Sequence, residues 1–386
     1  MRQTDHNHLV LTELFLPTKG GTAVWAAEVF PRLGGKGTHI VTASVPGQEA
    51  VDAVHPNSVH RLNLRRVWWL RPESLGMYAR FFFKSLGLAL RHDFESIHAI
   101  RSLPEGLSGW AVARLRGIPL IVYAHGEELT SWVQGGKYQA MRFALRHADC
   151  VIANSEFTRE QLLGMGVDSQ KVIIINPGVD IDVFHPGYRT EDLRQSIGLD
   201  ENQKLILSVG RLMCRKGFDR VIAALPRLLE RGINAHHAII GIGDEEDYLR
   251  RTAQENGVAD RVHFLGHVEP DDLPRWYCAA DVFAMPNRQV GRDTEGFGMV
   301  YVEAGACGTP AIAGNAGGTG SAVLDGETGL RVDGDDPDAI TEALYRILSD
   351  DAFATRLGDA ARRRAHEELS WEQVAQRTEQ IGCDGV

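Results

Sequence analysis

Two glutamates eight positions apart are the residues best suited to chemistry in this 386-residue chain. Glu295 precedes the turn Gly296-Phe297-Gly298, and Glu303 lies in the apolar, helix-like segment that follows. Free amides at a helix start, together with the helix dipole, favour a bound diphosphate. Eight helical residues rise about 12 Å, so one carboxylate could hold sugar hydroxyls while the other holds a ribose diol. An acidic helix start with one buried glutamate would produce the same pattern.

A second candidate motif is basic. Arg211 and Lys216 follow the apolar run Leu205–Val209, which is predicted to be a strand. An arginine fork and a lysine point charge can converge on one diphosphate. There they would neutralise the charge that develops on a leaving nucleotide. A solvated basic loop is the alternative interpretation.

The first half of the chain offers a histidine and a pair of glycines. His125 follows the predicted strand Leu120–Tyr123, where it is available to touch a substrate. Gly20 and Gly21 follow the predicted strand Leu9–Phe15 and could present amides to a phosphate or admit an acceptor. A core histidine and a simple turn are the alternatives.

Short apolar runs alternate with amphipathic helical stretches along the whole chain. The further predicted strands are His39–Ala43, Ser96–Ala99, Cys150–Ala153, Ala238–Ile242, Val262–Leu265, Val282–Met285 and Ala311–Ala313. Such alternation predicts an α/β fold with a doubly wound parallel sheet, and here it occurs twice. Pro and Gly cluster between Asn176 and Gly187, which places the domain boundary there. We therefore expect domains at 1–180 and 181–368, and a helix at 369–386 that crosses back to the first.

Composition narrows the functional classes. The net charge is −10, with 19 basic and 16 acidic residues up to position 180 and 22 and 35 after it. An acidic chain argues against nucleic acid as a partner. No run approaches the roughly 20 apolar residues of a membrane span, and the N-terminus lacks a signal-peptide layout. The five cysteines are scattered, which indicates reduced thiols in a cytoplasmic protein.

Together the four motifs resemble the retaining family-4 glycosyltransferases. That family shows a Gly-Gly loop, a His-Gly pair, Arg-x4-Lys and Glu-x7-Glu, and all four occur here in this order. Three other segments also match, at Pro177–Asp180, Arg261–Gly266 and Ala306–Pro310. Asp281–Pro286 and Glu295–Ala304 look like the phosphatidyl-myo-inositol mannosyltransferases, which use GDP-mannose and modify a membrane lipid. The resemblance implies the GT-B architecture, in which two Rossmann-like domains face each other across a cleft.

The resemblance also implies roles for individual residues. Arg211 and Lys216 would hold the diphosphate, Glu303 the ribose, and Glu295 the sugar, which His125 would touch from the opposite domain. We expect the catalytic residues to be His125, Glu295, Arg211 and Lys216. The expected donor-binding residues are Gly20, Gly21, Arg211, Lys216, Val268, Glu295, Gly296, Phe297, Gly298, Met299, Val300 and Glu303.

The implied activity is retaining transfer of a hexose from a nucleotide diphosphate sugar. GDP-mannose is the favoured donor, a lipid-linked or glycan molecule the acceptor, and neither metal nor cofactor is expected. UDP-glucose or UDP-N-acetylglucosamine as donor, with a small-molecule or glycan acceptor, is an alternative, and a nucleotide-sugar epimerase is another. Two Asp-x-Asp sequences, Asp180–Asp182 and Asp333–Asp335, are poorly placed for a metal. One departure is Ser321, which stands where the family has an acid and leaves acceptor and sugar preference open.

A basic segment in the first half suggests a membrane surface as a partner. Between Arg61 and Arg91 there are seven cations and one acid, Glu73, with Trp68 and Trp69 among them. If residues 74–92 are helical, Arg80, Lys84 and Arg91 share one face. Such a face would attract an anionic membrane, which would make the protein peripheral on the inner membrane face. An ordinary amphipathic helix with a solvated cationic face is the alternative.

Overall fold

The computed structural model describes residues 7–18, 20–64, 74–200 and 202–383. The chain divides into two units, each with its own sheet. Unit 1 is Met1–Pro177 with Trp371–Val386, and unit 2 is Gly178–Ser370.

Unit 1 contains a seven-stranded parallel sheet within the described residues. Its strands are β1 (His8–Leu11), β2 (His39–Ala43), β3 (Ser58–Leu62), β4 (Ser96–Ala99), β5 (Leu120–Ala124), β6 (Cys150–Ala153) and β7 (Val172–Ile174). Their order is β3-β2-β1-β4-β5-β6-β7. The central strands β1, β4, β5 and β6 are buried along their whole length, as expected for a parallel sheet covered on both faces.

Helices cover the sheet of unit 1. They are α1 (Gly21–Gly34), α2 (Gln48–Val54), α3 (Leu75–Ala89), α4 (Leu107–Arg116), α5 (Glu127–Ser131), α6 (Gly135–His147) and α7 (Glu156–Gly164). The last helix of the chain, Trp371–Cys383, packs on α1. There the indole rings of Trp371 and Trp25 lie 6.3 Å apart, and Glu372 accepts a hydrogen bond from Arg32 at 2.8 Å.

Unit 2 contains a second parallel sheet, six-stranded in the described residues. Its strands are β8 (Lys204–Val209), β9 (Ala235–Ile240), β10 (Val262–Gly266), β11 (Val282–Met285), β12 (Ala311–Gly314) and β13 (Gly329–Val332). Their order is β10-β9-β8-β11-β12-β13. The helices are α8 (Glu191–Ser196), α9 (Phe218–Glu230), α10 (Glu246–Glu255), α11 (Leu273–Ala279), α12 (Met299–Ala306), α13 (Pro337–Ser349) and α14 (Asp351–Glu367); Trp371–Cys383 of unit 1 is then α15.

The two parallel sheets confirm the predicted fold class. Each sheet reverses its strand order once, between β1 and β4 in unit 1 and between β8 and β11 in unit 2. In open α/β sheets ligands bind beyond the carboxyl ends of the strands at such a reversal. Among the helices of the described ranges, none combines the length and apolar character that a membrane span needs.

Candidate functional site

Three candidate residues of unit 2 lie on the two connections that leave its strand reversal. The β8–α9 connection carries Arg211 and Lys216, and the β11–α12 connection carries Glu295. Because β8 and β11 are paired parallel neighbours, both connections start at the same edge of the sheet. The topology therefore brings the basic motif and the first glutamate together.

Two cations hold the carboxylate of Glu295. Its Oε2 accepts hydrogen bonds from Nζ of Lys216 at 2.5 Å and from Nη1 of Arg215 at 2.7 Å. Nε of Arg215 also lies 3.1 Å from Oδ2 of Asp293. The side chains of Glu295, Lys216 and Arg215 are only 13, 11 and 14 % exposed. Their charges therefore interact with little screening by water.

These cations decide the protonation state of Glu295. Burial on its own raises the pKa of a carboxyl group. The nearby charges of Lys216 and Arg215 outweigh burial and lower the pKa of Glu295 to about 2. The side chain is therefore an ionised hydrogen-bond acceptor at neutral pH, and it is not suited to act as a general acid.

The start of α12 has the geometry of an anion site. Gly298 precedes the helix with a φ of 91°, and a Cβ at this position would lie 2.5 Å from the ring of Tyr301. Glycine is therefore required here. No side chain caps the helix, and the first amides of a helix have no partner within it. The backbone of Phe297, Gly298 and Met299 is thus suited to receive a phosphate or a sugar oxygen.

Glu303 lies one turn into α12, while Glu295 lies in the loop before it. The expectation that eight helical residues separate the two carboxylates is therefore wrong, because helical geometry begins only at Met299. Oε2 of Glu303 accepts a hydrogen bond from the Tyr277 hydroxyl at 2.8 Å. Burial raises the pKa of Glu303, and this hydrogen bond offsets the rise only in part.

The hydrogen bonds described above do not include the side chains of the remaining candidates, Arg211, Val268 and Phe297. Arg211 is exposed, Val268 packs against the core, and the ring of Phe297 is itself part of the core. The second cation on Glu295 is Arg215, which is not part of the Arg-x4-Lys motif. The sequence could have indicated Arg215 because it is adjacent to Lys216 in the turn Cys214–Lys216. The Arg-x4-Lys spacing instead favoured Arg211.

The serine that replaces an acid lies in the short helical turn Gly317–Ser321. The Ser321 carbonyl accepts a hydrogen bond from Arg364 at 2.7 Å. Beside it, the guanidinium of Arg331 lies 2.9 Å from where a Cβ on Gly320 would be. This corner of unit 2 therefore carries a cation and no acid at position 321.

The histidine candidate of unit 1 follows β5. Nε2 of His125 lies 2.8 Å from the carbonyl oxygen of Ile100. A carbonyl can only accept, so Nε2 carries the proton, and Nδ1 of the neutral ring is an acceptor. Burial lowers the pKa of His125, although the nearby Glu128 opposes this. His125 is thus a neutral imidazole whose Nδ1 can accept from a hydroxyl group.

The glycine pair of unit 1 begins α1. Gly20 is the residue before the helix, with a φ of 140°, and both Gly20 and Gly21 are exposed. The exposed helix start leaves room for a ligand to approach the backbone.

A buried carboxyl group near the strand reversal of unit 1 was missed by the sequence analysis. Glu105, in the turn after β4, has no exposed surface. Its Oε1 accepts from the amide of Glu13 in the loop after β1 at 2.6 Å, while Oε2 has no hydrogen-bond partner among the described residues. Burial raises the pKa of Glu105 to about 7. In the sequence, Glu105 is recognisable only as an acidic residue shortly after the predicted strand Ser96–Ala99.

The expectation of a basic surface at Arg61–Arg91 needs a correction. Arg61 is not a surface cation, since its side chain is 8 % exposed and its Nη2 binds Oδ1 of Asp52 at 2.7 Å. The same guanidinium donates to the carbonyls of Ala43 and Leu16, so it joins α2, the end of β2 and the loop after β1. Residues 65–73, which include three of the arginines, both tryptophans and Glu73, lie outside the described residues.

Both Asp-x-Asp sequences use their first aspartate in a local turn. Oδ1 of Asp180 accepts from the amides of Asp182 and Val183, and Oδ1 of Asp333 accepts from the amide of Asp335. These hydrogen bonds explain the sequence pattern as turn chemistry.

Comparison with known proteins identifies both halves of the chain. The model of "Glycosyltransferase Family 4" matches residues 19–183, and that of "Glycosyl transferases group 1" matches residues 189–364. The GDP-mannose-dependent alpha-(1-6)-phosphatidylinositol monomannoside mannosyltransferase of Mycolicibacterium smegmatis is 33 % identical over 379 residues, which cover 97 % of each chain. The enzyme of the same name from Mycobacterium tuberculosis is 33 % identical over 377 residues, or 95 % of each chain.

Solved structures share the fold. HepE of Anabaena in complex with UDP superimposes with a TM-score of 0.83 at 20 % identity, covering 98 % of this chain and 100 % of that one. The sucrose-phosphate synthase of Thermosynechococcus elongatus gives a TM-score of 0.79 at 24 % identity, covering 98 % of each chain. Two family models match most of the chain, and the relatives align along nearly all of it. The chain therefore belongs to the family-4 glycosyltransferases and has their GT-B fold.

Proposed function

We propose that this glycosyltransferase moves mannose from GDP-mannose to a lipid-linked or glycan acceptor, with retention of configuration and without a metal or cofactor. The donor and the lipid acceptor are suggested by the names of the relatives that match almost the whole chain. We also propose that the protein is cytoplasmic and binds the inner membrane face.

The observation that carries the proposal is the pairing of Glu295 with Lys216 and Arg215 beside the start of α12. A nucleotide diphosphate sugar presents two phosphates and a ring of hydroxyls. Cations and helix amides suit the phosphates, and an ionised carboxylate suits the hydroxyls. Both cations bind Oε2 of Glu295, so we assign Oε1 to a hydroxyl of the donor sugar. Arg211 remains a candidate for the phosphates, and Glu303 for the ribose.

The proposed reaction breaks the bond between the sugar C1 and the phosphate oxygen and forms a bond from C1 to the acceptor oxygen. The acceptor's proton goes to the leaving phosphate on the same face, which retains the configuration and needs no protein nucleophile. Lys216 and Arg215 stabilise the charge on the leaving diphosphate. They would supply the electrostatic work that a metal ion performs in other transferases. From unit 1, His125 and the Gly20–Gly21 turn stay predicted substrate contacts.

A thermal-shift panel of GDP-mannose, GDP, UDP-glucose and UDP-N-acetylglucosamine tests the donor. A ligand at a hundred times its Kd adds about 2.7 kcal/mol of stability, and we expect this from GDP-mannose and GDP. Stabilisation by the UDP compounds alone would overturn the proposed donor. With acceptor present, NMR of the product should show an α-mannoside; a β-mannoside would contradict retention. Conversion of the donor sugar without any acceptor would instead identify an epimerase.

The membrane proposal rests on α3 and its C-terminal end. Phe83 and Leu90 are 69 and 64 % exposed, and the cations Arg80, Lys84 and Arg91 belong to the same segment. Exposed apolar side chains beside cations suit the surface of an anionic bilayer. The apolar side chains would enter the interface while the cations meet lipid phosphates.

Co-sedimentation with vesicles tests this surface. Wild-type protein should bind vesicles that contain phosphatidylglycerol more than vesicles of phosphatidylcholine, and added salt should weaken binding. The double variant Phe83→Ser/Leu90→Ser should lose most of the binding. Leu115→Ser is the matched control, because Leu115 on α4 is also 64 % exposed. Binding that ignores lipid charge, or equal loss in the control, would remove the proposal.

A further inference from the structure

A buried ion pair joins the two connections that carry the candidate donor site. Nη1 and Nη2 of Arg288, in the β11–α12 connection, each donate to one carboxylate oxygen of Asp219 at 3.0 Å. Asp219 is the second residue of α9. The two residues are 7 and 6 % exposed, and the planar fork fixes the geometry of the pair as well as its charge.

Arg288 also contacts the turn Cys214–Lys216 through two further hydrogen bonds. Its Nη2 lies 3.0 Å from Sγ of Cys214, and its amide donates to the carbonyl of Arg215 at 2.8 Å. This turn presents Arg215 and Lys216 to Glu295. One residue thus contacts the turn through its side chain and its main chain.

The turn is packed against the backbone just before Arg288. Gly217, which ends the turn, has a φ of 75°, and a Cβ there would lie 2.2 Å from the carbonyl oxygen of Pro286. The backbones of the two connections therefore touch, and the turn has little freedom on that side. A shift of Arg288 would move the turn with it.

We propose that Arg288, through its fork on Asp219 and its contact with Cys214, is a positioning residue that holds Arg215 and Lys216 in place for the donor diphosphate. Among the described residues, the hydrogen bonds and ion pairs of Arg288 are with Asp219, Cys214, Arg215 and Asp335 and not with Glu295, so it acts through the turn. The inference rests on the proposed function for the identity of the ligand, but the fixed turn is a property of the folded chain itself.

The experiment must separate positioning from the cost of an unpaired buried charge. Removing one partner of a buried pair costs several kcal/mol because it leaves an uncompensated charge. The double variant Asp219→Asn/Arg288→Gln removes both charges at similar size, and Arg288→Lys keeps the charge without the fork. The matched control is Arg227→Gln/Asp338→Asn, an ion pair between α9 and α13 whose side chains are 51 and 82 % exposed.

Hydrogen exchange of the peptide that contains residues 214–217 is the first readout. The amides of Lys216 and Gly217 donate to Met213 and Cys214, so loosening of the turn raises their exchange. We expect exchange at least 10-fold faster in the double variant and in Arg288→Lys, with the rest of unit 2 and the control unchanged. Unchanged exchange in this peptide, or a rise across all of unit 2, would overturn the proposal.

Nucleotide affinity is the second readout. We expect at least 10-fold weaker binding of GDP, or of UDP if the wild type prefers it, and unchanged binding of the corresponding nucleoside, which lacks phosphates. Equal loss for nucleotide and nucleoside would also contradict positioning through the turn. If the wild-type protein binds neither nucleotide, the proposed function fails, while the exchange measurement still decides on the turn.

Discussion

Lys216 and Arg215 both bind the same oxygen of Glu295, Oε2. We expect that loss of one cation leaves the carboxylate paired with the other, so that the site keeps its fold. In the proposed mechanism, the variant loses a positive charge where the leaving diphosphate becomes more negative. The effect should therefore appear in turnover more than in stability.

We expect Lys216→Ala to lower kcat by at least about 100-fold, as for the loss of a charged transition-state contact. Steady-state kinetics with GDP-mannose and acceptor measure it. Lys204→Ala is the control, because Lys204 starts the same strand, β8, at its opposite end and pairs with Asp281 and Asp351. Near-normal kcat in Lys216→Ala would remove this lysine from the mechanism.

Glu105 predicts a pH dependence of stability. Its pKa in the folded chain is about 7, above the value near 4.3 of an unfolded glutamate. Between these pH values the folded state holds a proton that the unfolded state has released. The contribution of Glu105 to the free energy of unfolding is therefore fully present below about pH 4.3 and is lost as the pH rises through about 7. The slope is at most about 1.4 kcal/mol per pH unit.

Glu105→Gln should remove this dependence, because an amide cannot ionise and its oxygen can still accept from the amide of Glu13. Calorimetric midpoints at pH 5 and pH 8 measure it. Relative to wild type, the variant should gain stability from pH 5 to pH 8. An identical difference at both pH values would show that Glu105 does not titrate in this range.

At the residue scale, the sequence selects candidate motifs but does not predict every contact between their side chains. Arg215 was missed because helical or strand spacing says nothing about the direction of a side chain in a tight turn. Glu105 was missed because burial of an acid depends on the packing of β1 and β4, which are far apart in the chain. Motif spacing selected Glu295 and Lys216, and the structure brings these two side chains into contact.

At the scale of elements, buried strands were the easiest to predict. β2, β4, β6 and β11 have the predicted bounds, and all of their residues except Ala43 are buried. The strands β3, β7 and β13, each at a sheet edge, were missed, whereas β10, which also lies at an edge, was predicted to within one residue. Edge strands are partly exposed and carry polar residues, as in Ser58–Leu62, so their pattern resembles a loop.

The start of α12 is the element on which the diphosphate proposal depends. Gly298→Ala adds a Cβ at positive φ and against Tyr301, whose hydroxyl oxygen lies 2.6 Å from the carbonyl oxygen of Met285 and 3.0 Å from Oδ1 of Asn287. We expect a loss of about 1 to 3 kcal/mol of stability and weaker binding of GDP. Denaturant titration and calorimetry of binding measure the two effects.

Gly164→Ala is the control for this substitution. Gly164 ends α7, and no atom lies within 4 Å of a Cβ built there. Wild-type affinity for GDP in Gly298→Ala would show that the backbone at the helix start does not bind the phosphates.

At the scale of the whole molecule, repeated strand–helix alternation was enough to predict two parallel sheets. The family resemblance then supplied the activity, which the matches along nearly the full chain confirm at the level of a glycosyltransferase. Physical reasoning from the sequence could not select the acceptor. Acceptor choice depends on the shape of the protein surface. Ser321 also stands where the family has an acid, so the motif gives no guide to the acceptor.

The most direct test of the central claim is a crystal structure of the chain with GDP bound. We predict that the diphosphate lies beyond the carboxyl ends of β8 and β11, within hydrogen-bond distance of Nζ of Lys216 and of the amides at Phe297–Gly298. A diphosphate bound elsewhere, with Lys216 and Arg215 still paired with Glu295, would contradict the proposed donor site.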